Sequence, residues 1–225
     1  MSIEKLTGLL LILLPITFNV VFFLLQRNFE YPDILRKPTE YILDRFNAGG
    51  KGLIATWYAF TLAAVLFTPL AILMHQTFAS ENTPYMPLAT TIGVLAGAMQ
   101  FLGLIRWPFL VPYLARTYFA ADSTKATRDS IAVVFQAFHR YAGVAIGEHL
   151  GYLFTSIWSA FIALAITASP LFPSWLGWVG FLPALGIFIG LFEEGGFKAA
   201  GAINAISYII WSIWLIVVGL FLLLR

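Results

Sequence analysis

The stretch Ser130-Ile-Ala-Val-Val-Phe-Gln-Ala-Phe-His-Arg-Tyr141 is followed by Ala142 to Gly147 and by Glu148-His-Leu-Gly-Tyr152. It then runs on through Thr155 and Ser159 to Ile166. Its apolar residues are those of a membrane helix, yet it carries two histidines, an arginine and a glutamate. Ionisable groups are expensive inside a bilayer, so they mark a functional position or a buried pair. The surrounding chain has the same character. Of its 225 residues 60% are hydrophobic and only 11% are charged, far from the balance of a soluble domain.

Five further apolar runs accompany this one: Leu6 to Leu25, Gly52 to Met74, Leu88 to Ala115, Trp175 to Phe192 and Ile203 to Leu224. About 20 residues at 1.5 Å each cross a hydrocarbon core of ~30 Å, so each run is long enough to span. The composition and spacing predict an all-α polytopic membrane protein, a single domain over residues 1–225 with six transmembrane helices and short interfacial helices. The first run is too long for the apolar core of a cleaved signal peptide and is kept as a span. There is no cysteine, hence no disulfide framework, thiolate metal site or thiol nucleophile.

Ten of the 13 Lys and Arg residues fall in the first, third and fifth connections, against Lys5 and Arg225 near the termini. The positive-inside rule therefore predicts a cytoplasmic location for those connections and places both termini outside. The net charge of +2 follows from the same bias and implies no nucleic-acid partner. Within the first connection, Pro38 suits a helix start and Gly49-Gly50 a helix end. Ile42, Leu43 and Phe46 share one side of that short helix. It either lies in the membrane interface or packs on the bundle. The segment Lys125 to Tyr141 reads as a surface helix feeding the fourth span, or as the start of one long tilted helix. Pro108 and Pro112 predict a kink or early end in the third. Phe46-Asn-Ala-Gly-Gly-Lys51 and Phe192-Glu-Glu-Gly-Gly-Phe-Lys198 look alike, although Phe-x-x-Gly-Gly is common at helix ends.

Three stretches resemble a known family: Tyr31-Pro-Asp-Ile-Leu-Arg-Lys-Pro-Thr-Glu-Tyr-Ile-Leu-Asp-Arg-Phe-Asn-Ala-Gly-Gly50, Leu104-Ile-Arg-Trp-Pro-Phe-Leu-Val-Pro-Tyr113, and Ala137-Phe-His-Arg-Tyr-Ala-Gly143 with Gly147-Glu-His-Leu-Gly-Tyr152. They are similar to bacterial integral membrane proteins catalogued as domain of unknown function 4386. The resemblance implies the bacterial cytoplasmic (inner) membrane. It brings no activity and no catalytic residues.

Counting from the helix ends puts Arg106 and Glu148 at one depth on adjacent spans, where a pair would relieve the cost of both charges. Glu148, Tyr152, Thr155 and Ser159 share one helix face, with Tyr141 seven residues earlier and His149 beside the stripe. For the hydroxyls, hydrogen-bonding between helices is the plainer role. Asn19, Gln100, Arg106, Glu148, His149, Tyr152, Glu193, Glu194 and Asn204 all count to the inner half, while the outer halves lack ionisable residues. That distribution favours a pocket open to the cytoplasm over a pore.

The ligand-binding candidates are Arg106, Glu148, His149, Tyr152, His139 and Gln100, meeting an amphiphilic, lipid-like molecule. Glu148 and His149 are candidate acid–base groups, and the sequence leaves open whether the protein is an enzyme. No metal site and no cofactor is predicted, because His139 and His149 do not share a helix face and any metal or haem ligation needs partners elsewhere. Membrane lipids are the expected partners. Two other classes remain open. One is a small secondary transporter, with Pro15, Pro69, Pro108, Pro112 and Pro183 as breaking points. The other is a structural or regulatory partner in which the charges only fix helix packing.

Overall fold

In hydrocarbon every backbone amide must be bonded within the protein, so apolar runs of this length have to become helices. They do so in the computed structural model, which describes residues 2–79 and 83–225. The helices are α1 (Ile3–Phe29), α2 (Thr39–Val65), α3 (Phe67–Thr77), α4 (Met86–Leu104), α5 (Arg106–Phe109), α6 (Val111–Tyr118), α7 (Lys125–Phe138), α8 (Gly151–Ala168), α9 (Ser174–Ile189) and α10 (Ala200–Leu223). A π-helical segment, His139–Leu150, joins α7 to α8, and no strand occurs among the described residues. Six helical runs are long and apolar enough to cross a membrane: Ile3–Phe29, Thr39–Thr77, Met86–Tyr118, Lys125–Ala168, Ser174–Phe192 and Ala200–Leu223.

The breaks inside these runs have local causes. Gly50 adopts φ 53°, ψ −149° inside α2, a conformation open to glycine and strained for other residues. The turns before it bury Ile42, Leu43 and Phe46 completely or nearly so, with the Phe46 ring 5.8 Å from Phe29 and 5.9 Å from Trp107. The apolar side of this short helix is therefore packed on the bundle. Pro69 and Pro108 have no N–H to offer the carbonyls four residues earlier, Val65 and Leu104. Those are the last residues of α2 and α4. Arg106 consequently lies just past a kink in the third span. The fourth span is one uninterrupted helical run, Lys125–Ala168, the long-helix alternative rather than a separate surface helix.

Each span packs against the next in chain order, and α10 returns to α1, closing a ring of six. At the end carrying the termini the ring is filled. Phe67, Trp158 and Trp211 meet there, with Phe67 at 4.7 Å from Trp158 and 5.7 Å from Trp211, within a continuous buried cluster that includes Leu11, Met74 and Ile166. At the opposite end, where the basic connections lie, a second cluster centres on Trp57 and Trp107, stacked at 4.4 Å. Beside this second cluster, at the basic end, the ring is not filled.

Candidate functional site

The site begins with a glycine register between the third and fourth spans. Gly143, Gly147 and Gly151 recur every four residues, and Gln100, Gly103 and Arg106 every three. The two rows face each other. A Cβ on Gly103 would stand 2.5 Å from the Gly147 Cα, a Cβ on Gly151 would stand 3.3 Å from the Gln100 Cγ, and one on Gly143 would collide with the Arg106 guanidinium. Small residues thus bring the two backbones together and make the space that Arg106 occupies.

Arg106 is 9% exposed. Its Nη1 donates to the Gly103 carbonyl, and its guanidinium lies 5.3 Å from the centre of the Trp107 ring. Among the described residues no carboxylate comes within 4.0 Å of it. The direct Arg106–Glu148 pair expected from depth is therefore not formed. The guanidinium turns back to its own helix and rests over Gly143, one turn away from Glu148.

Both side chains line one cavity of about 740 Å³ bounded by all six spans. Asn19, Gln100, Arg106, Glu148, His149, Tyr152, Glu193, Glu194 and Asn204, the polar residues counted to one half of the membrane, all contribute to its wall, as does His139. The deepest lining residues, Leu14, Phe67 and Trp211, belong to the filled half. Toward the termini the lining ends at Leu14 on the first span, Phe67 on the second and Ser212 on the sixth, so the space opens at the basic end and stops near mid-span.

Individual positions differ. Tyr152 and Gln100 are half-buried; Gln100 Nε2 donates to Thr155 Oγ1 at 2.9 Å. Ser159 Oγ accepts from Trp211 Nε1 at 2.7 Å and donates to the Thr155 carbonyl at 2.7 Å. Thr155 and Ser159 are fully buried and hold helices together, their plainer role. His139 stacks on Phe135, with a buried Nδ1 that meets no hydrogen-bond partner among the described residues. His149 is exposed at the edge of the cavity. Tyr141 is 68% exposed and leaves the stripe. Seven residues return to nearly the same face of an α-helix, but in a π-helix of about 4.4 residues per turn they come out on the opposite side. Among the described residues no group of three or more His, Cys, Asp or Glu is placed to hold a metal.

The rim is crossed by contacts that sequence reasoning missed. Arg36 of the first connection meets Glu193 at 3.2 Å, and Arg140 meets Glu194 at 3.9 Å. Gln136 Nε2 donates to Thr39 Oγ1 at 2.8 Å. Tyr31 and Tyr208 also line the cavity. Tyr31 is set edge-on to Phe22, Trp57 and Phe60, and burial, followed by the Glu148 charge, pushes its phenol well above the ordinary tyrosine range. Arg36 and Glu193 are 157 residues apart, so no local motif announced them. The four-residue glycine spacing was the available signal for the Arg106 niche.

A ring of six apolar helices, with its basic connections at one end and hollow there, defines a polytopic all-α membrane protein. Within that class, the chain belongs to the family described as Domain of unknown function (DUF4386), whose model matches residues 6–225. No curated protein and no solved structure matches the chain.

Proposed function

We propose that the protein binds an amphiphilic, lipid-like molecule in this cavity, with the mouth toward the cytoplasm of a bacterial cell and both termini outside. The head group meets Arg106 and Glu148, with His139, His149, Tyr152 and Gln100 around it. The tail lies on Phe18, Phe22, Phe60 and Phe67. One observation carries the proposal: Arg106 is buried beside a cavity of about 740 Å³, with no carboxylate of the described residues in ion-pair reach. A buried charge without a counter-charge is strongly unfavourable, and an anionic ligand group supplies what is missing. Arg36 and Arg140, by contrast, already have carboxylate partners at the rim.

Support for binding over transport comes from the filled half of the ring, because an ion or solute path needs polar groups through the whole thickness. Support for binding over a purely structural role comes from the space itself, which packing residues would otherwise occupy.

Trp107 and Trp211 line the cavity, so a bromine-bearing fatty acid bound there quenches their fluorescence. Saturable quenching is expected in the wild type. Arg106→Gln should raise the half-saturating concentration about tenfold or more, the equivalent of about 1.4 kcal/mol. Identical quenching curves for the two proteins would overturn the proposal.

A further inference from the structure

A ligand with a long chain resides in the bilayer and must pass from there to Arg106. The exposed residues of the cavity wall fall into two groups. Arg36, Gln136, Arg140, His149 and Glu194 are polar and stand at the rim. The others, Asn19, Ala202, Ala205 and Ile209, all lie on α1 and α10. Close to them on the same two helices, Val20, Phe23 and Ile206 are 54%, 59% and 58% exposed, as side chains facing lipid are. The α1–α10 seam therefore touches the cavity on one side and the hydrocarbon on the other.

The contacts across the seam thin out in one direction. Near the termini α1 and α10 meet at Gly8 and Gly219, where a Cβ on either residue would stand 2.8 or 2.7 Å from the other's carbonyl oxygen. Further along, Asn19 Nδ2 donates to Ser212 Oγ at 2.9 Å. Among the described residues this is the last hydrogen bond between the two helices before the basic end. Beyond it α10 presents Ala205 and Ala202 toward the cavity, and α1 presents Phe22. These alanines are exposed and carry only a methyl group each. The water-facing rim is instead crossed by the Arg36–Glu193 and Arg140–Glu194 contacts, where a hydrocarbon chain would displace hydrated charges.

We propose that the seam between α1 and α10 is a lateral portal, through which a membrane lipid with an acyl chain and an anionic phosphate or carboxylate head reaches the cavity from the adjoining leaflet. The chain lies between Phe22 and Ala205 and runs inward to Phe18 and Phe60, while the head reaches Arg106. This inference rests on the amphiphile site proposed above and adds the source of the ligand and its route.

The test uses the full chain in phosphatidylcholine vesicles containing a phosphatidic acid with a diazirine in one acyl chain. On illumination, the wild type should be labelled at the cavity-facing Phe18 and Phe60 as well as at the seam. Labelling confined to outward positions such as Val20 and Phe23 would overturn the portal. Ala205→Trp places a bulky ring in the seam and should lower labelling of Phe18 and Phe60 several-fold relative to tryptophan quenching by a brominated octyl phosphate added from water. Ile213→Trp, on the outer face of α10, serves as the control and should leave that ratio unchanged. An unaltered ratio in Ala205→Trp also counts against the portal. Inorganic phosphate should not compete with the lipid; full competition would assign the site to free phosphate and overturn the lipid source. Loss of both lipid labelling and octyl phosphate quenching in the wild type would instead remove the amphiphile site itself. The wild-type labelling pattern decides the matter even if Ala205→Trp does not fold.

Discussion

Arg106→Met is expected to make the ligand-free protein more stable and a poorer binder. At 9% exposure, the guanidinium has lost most of its hydration, and the effective penalty for such an ion is several kcal/mol. Two contacts offset part of it. The charge-assisted bond to the Gly103 carbonyl contributes about 1.5–3 kcal/mol. The Trp107 ring at 5.3 Å contributes about 1–2 kcal/mol. Methionine loses both contacts, relieves the desolvation, and adds about 1.5–3 kcal/mol of apolar burial in the same niche over Gly143. The balance is a gain of about 2 kcal/mol, or roughly 4–8 °C in Tm for a chain of this size. Thermal unfolding in a non-ionic detergent, which carries no anionic head group for Arg106, reads the first half of the expectation. Quenching by a bromine-bearing fatty acid reads the second. A variant destabilised by more than about 2 kcal/mol would refute the reasoning, because Arg106 would then be holding helices together.

Other expectations follow from packing and titration. Gly103→Ala drives a methyl to 2.5 Å from the Gly147 Cα, and overpacking of that kind should lower stability by about 2 kcal/mol. Gly52→Ala, with nothing within 4 Å of the new Cβ, should be neutral or stabilising by up to about 1 kcal/mol; equal effects in chemical denaturation would contradict the close approach of the two spans. Trp211→Phe removes the donor to Ser159, whereas Trp158→Phe removes an Nε1 that has no hydrogen-bond partner among the described residues. The first substitution should therefore cost about 1 kcal/mol more than the second. The raised pKa of Tyr31 means that the folded state favours the neutral phenol. Its contribution is complete below the unfolded value of about 10 and is lost as pH rises above it. Tyr31→Phe should accordingly show a shallower loss of Tm between about pH 9 and about pH 11, and an unchanged slope would contradict the burial of that ring.

Much of the fold is legible from hydropathy, because length and apolarity alone determine that a run must cross a bilayer as a helix. The kinks before Arg106 and at Gly50 are equally legible, since a missing N–H or a positive φ acts locally. One-ended polarity also follows from counting along helices of known rise, which is why Asn19, Gln100, Glu148 and Asn204 line one cavity. What counting does not capture is rotation. A π-helical segment shifts the phase of everything across it, so Tyr141 leaves the stripe on which α-helical spacing puts it. Equal depth was likewise insufficient for an Arg106–Glu148 pair, because the guanidinium found a closer acceptor at Gly103. The contacts at the rim depend on ring closure, which brings the first connection to the end of α9. Arg36 and Glu193 become neighbours only once six helices have packed in order, and no sequence window holds both.

The most direct test of an amphiphile site is the experimental structure of the protein in a lipid nanodisc, read for density between Arg106 and the Phe67–Trp211 floor. Elongated density is expected in that space, with an anionic group against the Arg106 guanidinium and a tail along Phe18 and Phe60. A dry, collapsed interior with Arg106 and Glu148 in direct contact would contradict it and would leave those charges a purely structural role.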